Sequence, residues 1–555
     1  MKFANTFFSQ ISSLLRREWI GIGLILLISA LAHGINMAGF PFYESDEGTY
    51  MSQAWAVARL GQLAPYTYWY DHAPVGWFQL AAWSTLTGGF TTFGTPINSG
   101  RVFMLLLQVL STFMLYRITR RISNSTVAAT IAALTFAFSA YGIYYHRRVL
   151  LDNMATFWLL LSILLLLEGR SRRTQVWLSA VACGIAILSK EPIVVFLPGL
   201  AYLAWFQTSG PEGIRRRQPA AAWVVIAGAV VATYPLMALL RGELFPPGSW
   251  PASPDATESL IGTLQFQMSR GKDGGLFDLN SRFWTMASLW VRAEPLLVIL
   301  GTLSAVASVL LIRQRRLVGI MGVLSLTFWL FLGRGGETLA FYLVPLLPLL
   351  ALNLGVIAGL VIEGIQTSSA WFARIATRKQ RFLPPVVVGL CLIGTLGGYG
   401  SPHLGFDDNP LTLWTNNQAH VQAQTVAWVQ AHIPPDSLII IDQSMWTDLH
   451  EQSDSGNAYP NAHYYWKVAH DPAIRDDVFG GDWQRVNYII TTPQLVKDAR
   501  EQDFQVVNAA LAHSQPVVTF DTGGWPIEIR HVNPAYPAMP IETIFAESWD
   551  DAGSH

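Results

Sequence analysis

The stretch Tyr43-Glu44-Ser45-Asp46-Glu47-Gly48-Thr49-Tyr50 follows the first long apolar run of the chain and decides how the remainder is interpreted. Three acidic residues lie here within four positions, at what would be the edge of a membrane. A carboxylate that is partly desolvated at such an edge gains proton affinity, which suits a general base. A solvated loop end explains the same residues, so both interpretations stay open at this point.

The composition around this stretch indicates a polytopic α-helical membrane protein. Of the 555 residues, 51% are hydrophobic and 13% are charged, and the mean hydropathy is +0.33. Such a chain is too apolar for a soluble globular protein, and its repeated apolar runs are long enough to cross a bilayer. Eleven spans are predicted, at about 19–40, 101–117, 126–144, 150–168, 175–189, 192–207, 219–240, 286–312, 317–332, 338–362 and 384–400.

The small net charge is the sum of a basic N-terminal part and an acidic C-terminal part of the chain. Residues 1–400 carry 30 Lys and Arg against 17 Asp and Glu, whereas residues 401–555 carry 6 against 20. This asymmetry predicts a transmembrane domain over 1–402 and an acidic soluble domain over 403–555. The acidic part argues against nucleic acid as a partner, while the basic part is compatible with anionic membrane lipids.

Clusters of arginine and lysine predict the orientation of the spans. They fall in every second loop, near residues 16–17, 117–121, 170–173, 215–217, 313–316 and 374–381. All of these loops are cytoplasmic if the N-terminus is inside and the number of spans is odd. The acidic stretch, the outer loops and the C-terminal domain would then lie on the outer side of the cell (plasma) membrane.

Two regions depart from the pattern of long spans. In the aromatic-rich loop 41–100, segments 51–60 and 75–87 have helical apolar spacing without span length, which predicts helices lying at the membrane interface. After residue 402, a helical pattern at 416–432 is followed by strand patterns at 437–442, 486–491, 516–520 and 526–531, with another helix at 494–501. This alternation predicts a small α/β layer.

Further charged and polar side chains occur in the predicted outer loops: Asp71, His72, Arg147, Arg148, Asp152, Lys190, Arg270, Arg334 and Tyr342. Several of these residues have an ordinary structural explanation. Asp71 could cap a helix, Arg148 could pair with Asp152, Lys190 could pair with Glu191, and Tyr342 could belong to an aromatic belt. Together, acidic and basic groups on one face of an apolar bundle fit a site that binds a phosphate and activates a hydroxyl.

The order of these motifs resembles the GT-C membrane glycosyltransferases, in particular the protein O-mannosyltransferase and lipid A aminoarabinose transferase group. The resemblance rests on YESDEGTY (43–50), DHAPVGW (71–77), YYHRRVLLDN (144–153), LSKEP (188–192) and FYLVPLLP (341–348). It covers roughly residues 15–400. It implies a GT-C fold and a donor in which the sugar is carried by a polyprenyl phosphate.

The resemblance also implies roles for individual residues. Asp46 would be the catalytic base, with Glu47 beside it, and Asp71 and Asp152 would line the cavity. Lys190 and the arginines of loop 241–285, which include Arg270, would bind the donor phosphate, with Tyr342 along its path. From charge and position alone, Arg147 and Arg148 are predicted to join the phosphate site, and His72 and Arg334 are predicted to line the cavity. A divalent metal ion (Mg, Mn or Zn) held by Asp46, Asp71 or Asp152 is a further expectation.

The predicted reaction transfers a hexosyl or pentosyl group, with inversion, to a hydroxyl of a lipid, glycan or protein. The alternative is a flippase or transporter of lipid-linked glycans. Transporters, however, place their polar residues near the bilayer midplane on broken helices, whereas these charges lie at helix ends and in outer loops. A third interpretation, a binding module on a membrane anchor, does not account for eleven spans.

Overall fold

The computed structural model describes residues 2–67, 70–168, 173–208, 217–253, 258–368, 382–400, 411–451, 458–521 and 525–545, with side chains from residue 18. Much of the predicted basic loops 170–173, 215–217 and 374–381 lies outside these residues. The chain divides into two compact units. We call the first (1–35, 105–146 and 151–410) the helical unit and the second (36–104, 147–150 and 411–555) the mixed unit.

Helices dominate the described part of the helical unit. They are α1 (Lys2–Gly34), most of α4 (Pro96–Ser123), α5 (Thr126–Ala137), α6 (Ala140–His146), α7 (Leu151–Glu168), α8 (Arg173–Ser189), α9 (Leu197–Thr208), α10 (Arg217–Leu240), α11 (Leu260–Ser269), α12 (Arg282–Ala293), α13 (Thr302–Leu310), α14 (Arg316–Leu332), α15 (Leu347–Ser368) and α16 (Leu383–Leu396). Helix α8 packs on α7 and on α10, and α5 packs on α15.

Small residues allow the close packing of α5 on α15. Gly355 and Gly359 form a Gly-x-x-x-Gly pair on α15 that faces Ala128 and Ala132 of α5. A Cβ atom at Gly355 would lie 2.5 Å from the carbonyl oxygen of Ala128. Close backbone approach through small residues is typical of helix pairs in membranes.

Four helices in the described residues are long and apolar enough to cross a membrane: Pro96–Ser123, Leu151–Glu168, Gln218–Leu240 and Ala340–Gln366. Two bent pairs raise this number to six if each pair is one span. Four shorter apolar helices, at Glu18–Gly34, Arg173–Ser189, Arg316–Leu332 and Leu383–Tyr399, coincide with other predicted spans. The multi-pass helical character is therefore confirmed, whereas the count of eleven spans stays a prediction.

Three of the predicted spans are bent or broken in the structure. The span at 126–144 is bent by 58° between α5 and α6, and the span at 286–312 is bent by 113° after α12. Glu294 precedes Pro295 at the second bend, and a residue before proline is sterically disfavoured in helical conformation. The span at 192–207 begins as a 3₁₀ helix, Glu191–Phe196, and continues as the short helix α9.

The mixed unit combines the loop after the first apolar run with the C-terminal residues. Its helices are α2 (Ser45–Trp55, continued by a π turn at Ala56–Leu60), α3 (Val75–Leu86), α17 (Thr412–Thr415), α18 (His420–His432), α19 (Trp446–His450), α20 (Tyr465–His470), α21 (Pro493–Glu501) and α22 (Gln505–Ala512). Helices α2 and α3 fall close to the segments predicted as interfacial. The boundary at 402/403 stays a prediction, and the structure adds residues 36–104 and 147–150 to the C-terminal part.

A five-stranded sheet forms the centre of the mixed unit, in the order β2 (Ala462–Tyr464), β1 (Ile439–Ile441), β3 (Tyr488–Thr491), β5 (Ile527–Val532), β4 (Ser514–Phe520). Strand β1 is parallel to β2 and β3, with Ile439 opposite both Ala462 and Tyr488, and the β3–β5 and β5–β4 pairs are antiparallel. Ile440 packs into one apolar cluster with α20, α21 and α22, and Ile439 and Ile441 pack into another with α18 and α19. Both faces of the strand are therefore covered, as expected for a parallel strand.

Candidate active site

The acidic motif forms the start of helix α2. Glu44 is the residue before the first turn, and its backbone N–H donates a hydrogen bond to Oε2 of Glu47 (3.1 Å), as in a capping box. Such a box satisfies N–H groups that the first helical turn leaves unpaired. Two of the three acidic side chains therefore help to build the end of the helix.

Glu47 is fully buried and ion-paired. Nη2 and Nε of Arg101 donate to its two carboxylate oxygens at 2.7 and 2.9 Å, and the backbone N–H of Val149 donates to Oε1 at 2.9 Å. Arg101 also donates to the carbonyl oxygens of Met37, Pro41 and Phe42. These contacts favour a structural role for Glu47 rather than the catalytic role predicted for it.

The two arginines of the 147–148 segment also have protein partners. Nη1 of Arg147 donates to the carbonyl oxygens of Leu413 (2.5 Å) and Phe40 (3.3 Å), and Arg147 is buried. Arg148 lies 2.8 Å from Oε2 of Glu44 and above the ring of Phe42. Burial raises the pKa of Glu44 to about 7, although Arg148 opposes this shift. Arg148 therefore has a carboxylate partner in the acidic motif, which its sequence spacing to Asp152 did not suggest.

Asp46 differs from both acidic neighbours. Its side chain is half-buried and makes no hydrogen bond or ion pair with any residue that the structure describes. Its negative charge contributes to the raised pKa of Glu44. Among the three carboxylates of this motif, Asp46 is therefore the one that the described contacts do not assign to building the fold.

Asp442, at the carboxyl end of β1, holds the first turn of α2. Its Oδ2 accepts hydrogen bonds from Ser45 (3.2 Å) and Thr492 (3.0 Å), and its Oδ1 accepts from the backbone and hydroxyl of Ser444. Gly48 faces the same segment, because a Cβ atom there would lie 2.2 Å from the carbonyl oxygen of Gln443. The residues on both sides of Asp46 are thus fixed by the C-terminal part of the mixed unit, a contact that no sequence motif indicated.

Asp71 and His72 lie in the turn before α3. Asp71 is exposed, and the ring of His72 meets the ring of Tyr50 of α2 edge-on, with the ring centroids 5.9 Å apart. Pro74 precedes the first residue of α3, close to the position that the sequence predicted. The structure thus brings His72 to the helix that carries Asp46.

A second group of predicted residues lies in the helical unit. Asp152, in the first turn of α7, and Lys190, just after α8, are both buried, and Nζ of Lys190 is 3.7 Å from Oδ2 of Asp152. Nζ of Lys190 is also 5.7 Å from the ring centroids of Phe341 and Tyr342. A carboxylate and the faces of two aromatic rings are both favourable neighbours for an ammonium group. Here the structure brings together three of the predicted residues.

Arg270 and Arg334 lie in two adjoining loops of the same unit. The backbone N–H of Leu276 donates to the carbonyl oxygen of Gly333, and this bond joins the loops. Arg334 lies above the ring of Phe331, and burial lowers the pKa of its guanidinium while Tyr342 raises it. Arg270 is exposed and lies above the ring of Phe266.

The described residues contain no group of three or more His, Cys, Asp or Glu side chains that could hold a metal ion. The metal ion expected at Asp46, Asp71 or Asp152 therefore stays a prediction.

Asp448 is an additional buried carboxyl group in the mixed unit. It lies on α19, its Oδ2 has no hydrogen-bond partner among the described residues, and burial raises its pKa from 3.8 to about 7. Because the pKa is raised in the folded state, the protonated carboxyl group stabilises the fold fully at pH values below the pKa of the unfolded chain. This contribution is lost as the pH rises through the pKa of the folded state.

We therefore expect Asp448→Asn, which stays neutral, to be more stable than the parent by a margin that grows from about pH 4 to about pH 7 and is constant above. Thermal unfolding at these pH values measures the margin as a difference in Tm. Asp503 is exposed, so Asp503→Asn is the matched control and is expected to show no difference in Tm at any of these pH values. A margin for Asp448→Asn that is the same at every pH would contradict the assignment.

Known proteins are similar in sequence to part of this chain. The sequence profile of the dolichyl-phosphate-mannose-protein mannosyltransferase family matches residues 71–237. A polyprenol-phosphate-mannose–protein mannosyltransferase of Mycobacterium tuberculosis is 32% identical over 148 residues, which are 25% of this chain and 27% of that protein. The match thus spans about a quarter of the length of this relative.

Two solved structures are similar over most of the chain. ArnT from Cupriavidus metallidurans bound to undecaprenyl phosphate has a TM-score of 0.55 at 15% identity, over 94% of this chain and 99% of ArnT. The oligosaccharyltransferase AglB from Archaeoglobus fulgidus, in complex with an inhibitory peptide and a dolichol-phosphate, has a TM-score of 0.51 at 11% identity, over 89% of this chain and 72% of AglB. The resemblance to the GT-C glycosyltransferases is therefore confirmed, and at these identities the structural likeness concerns the fold.

Proposed function

We propose that this chain is an integral-membrane glycosyltransferase that moves a sugar from a polyprenyl phosphate to a hydroxyl acceptor. The fold resembles those of ArnT and AglB, whose structures hold undecaprenyl phosphate and a dolichol-phosphate. The matching relative is a polyprenol-phosphate-mannose–protein mannosyltransferase. The observation that carries the proposal is the carboxylate of Asp46, which has no hydrogen bond or ion pair among the described residues, although both of its acidic neighbours are paired.

In the proposed reaction, Asp46 takes the proton of the acceptor hydroxyl as its oxygen attacks the anomeric carbon. The bond between that carbon and the phosphate oxygen breaks, and the polyprenyl phosphate leaves with its electron pair. Attack opposite to the leaving group inverts the anomeric centre, and the transition state has oxocarbenium character. The phosphate is a good leaving group, so the protein supplies positive charge to it rather than a proton.

The roles of the basic residues follow from their partners. Lys190 is buried beside Phe341 and Tyr342, and its amino group is assigned to the donor phosphate. Arg270 is exposed, whereas Arg334 lies on Phe331 and donates to the carbonyl oxygen of that residue. Both are assigned to the same ligand. Arg147 and Arg148 are engaged with carbonyl groups and with Glu44, and their proposed part is to hold the loops that flank α2.

The arrangement in the membrane is part of the proposal. Eleven spans, with the N-terminus in the cytoplasm, place the acidic motif and the C-terminal α/β domain on the outer side of the plasma membrane. The distribution of basic clusters supports this orientation. The acceptor would be a lipid, glycan or protein hydroxyl reached from that side.

The experiment that tests the function supplies the purified chain with polyprenyl-phosphate sugars carrying a labelled hexose or pentose. We expect polyprenyl phosphate to be released together with labelled acceptor. A flippase would move the intact donor across a vesicle membrane and release none, so recovery of unchanged donor from every sugar would reject the proposal. Repeating the reaction with EDTA tests the predicted divalent ion.

Lys190→Met is expected to raise KM for the donor about 10–100-fold, because a hydrogen bond to a charged group contributes roughly 1.5–3 kcal/mol. The substitution also removes the ion pair between Lys190 and Asp152, so unfolding is measured in parallel. Lys272→Met, on an exposed loop of the same unit, is the matched control. An unchanged KM in a folded Lys190→Met protein would remove Lys190 from the phosphate site.

A further inference from the structure

A cavity of about 340 Å³ lies in the helical unit among the ends of three helices. It is lined by Ile122 at the end of α4, Phe206 and Gln207 near the end of α9, and the residues 315–318 at the start of α14. This volume is at the lower end of the range for small-molecule sites, which run from roughly 300 to 1,000 Å³. None of these residues belongs to the candidate active site.

Two arginines make the opening of this cavity strongly basic. The guanidinium of Arg316 lies above the ring of Phe206, 5.2 Å from its centroid, and has no carboxylate partner among the described residues. Arg315 lies 3.7 Å from Glu363, but these two side chains are 43% and 63% exposed. Exposed ion pairs contribute only about 0–1 kcal/mol, so Arg315 can turn toward another anion at little cost.

Two hydrogen-bonding groups that line the cavity have no partner among the described residues. Gln207 is only 9% exposed, and its amide makes no hydrogen bond to the residues that the structure describes. The first N–H groups of α14 have no helical partner, and Arg315, which precedes them, provides no side-chain cap. Buried amide groups and a helix N-terminus are favourable surroundings for phosphate oxygens.

We propose that this cavity binds the phosphate group of an anionic glycerophospholipid. Arg315 and Arg316 would pair with the phosphate, Gln207 would donate to one of its oxygens, and Ile122, Phe206 and Leu317 would contact the glycerol and the first acyl carbons. The basic clusters predict that these helix ends face the cytoplasm, where anionic lipids give the membrane its negative surface potential. The inference is independent of the proposed sugar transfer.

The test titrates the purified full chain with dioctanoyl phosphatidylglycerol, with dioctanoyl phosphatidylcholine and with inorganic phosphate, by native mass spectrometry. We expect phosphatidylglycerol to bind at least about tenfold more tightly than the other two, which corresponds to about 1.4 kcal/mol. Equal binding of phosphatidylcholine would overturn the proposal. Equal binding of inorganic phosphate would show that the ligand is not a lipid, which would also overturn it.

Substitutions in and beside the cavity test whether phosphatidylglycerol binds at this site. Arg316→Gln and Gln207→Met are each expected to weaken phosphatidylglycerol binding about tenfold. Arg313→Gln removes an exposed charge from the same loop without touching the cavity and is expected to change binding less than about twofold. If Arg313→Gln weakens binding as much as Arg316→Gln, diffuse surface charge explains the affinity and the site is rejected. Two cavity variants are used, so that one that fails to fold still leaves the other to decide.

Discussion

Asp46→Asn is expected to lower the rate of sugar transfer by about 10²–10⁴-fold, the usual contribution of a general base. Asparagine keeps the size of the side chain but cannot accept the proton of the acceptor hydroxyl. Because Asp46 makes no hydrogen bond or ion pair with the described residues, its replacement removes no contact that holds the fold. We therefore expect an unchanged melting temperature and an unchanged KM for the donor.

The controls for Asp46 separate chemistry from folding. Asp503→Asn replaces an exposed carboxylate of the same unit and should transfer sugar at the parental rate. Glu44→Gln should be active, because Glu44 serves as a partner of Arg148 and the amide oxygen of glutamine can accept a hydrogen bond from the same guanidinium. Turnover of Asp46→Asn within a few-fold of the parent would remove Asp46 from the mechanism.

Arg101→Met is expected to lower the free energy of unfolding of the mixed unit by about 3–5 kcal/mol, because it leaves the carboxylate of Glu47 buried without its cation. The three carbonyl oxygens that accept hydrogen bonds from Arg101 lose this donor as well. Hydrogen exchange of residues 36–67 and thermal unfolding measure the effect. We expect faster exchange across α2 and a markedly lower melting temperature.

A matched ion pair on the surface provides the control. Arg475 and Asp476 form an equally short contact of 2.7 Å, but their side chains are 42% and 52% exposed. Arg475→Met should therefore cost at most about 1 kcal/mol. The double variant Arg101→Met/Glu47→Met should recover part of the loss, since no lone buried charge remains. A double variant that is no more stable than Arg101→Met would contradict this explanation.

The sequence predicted most helices and strands because their signals are local. The strand expected at 437–442 is observed at Ile439–Ile441, and the helix expected at 494–501 begins at Pro493 after Thr492, whose hydroxyl accepts the N–H of Leu495. The bend in the predicted span 286–312 also has a local signal in Glu294-Pro295, a charged residue before proline within an apolar run. The length of that run predicted one span, and no bend was predicted within it.

The separate roles of Glu44, Asp46 and Glu47 could not be predicted from local sequence signals. Arg101 stands at the first position of a predicted span and Asp442 at the end of a predicted strand, and nothing local marks either as a partner of residues 45–47. These contacts join positions that are 54 and 397 residues apart in the chain. The sequence therefore predicted the acidic motif as a whole. Only the three-dimensional contacts distinguish Asp46, which has no ion pair among the described residues, from the ion-paired Glu44 and Glu47.

The mixed unit is discontinuous in sequence, so its first part is synthesised well before the residues against which it packs. Residues 36–104 leave the ribosome about 300 residues before residue 411, and at about 5–20 residues per second this interval lasts roughly 15–60 s. During that time Gly48, Trp55 and Tyr66 lack the surfaces against which they pack in the finished protein. This aromatic-rich segment therefore stays without its packing partners until the last quarter of the chain has been translated, and slower translation lengthens the time during which it is exposed to aggregation and cleavage.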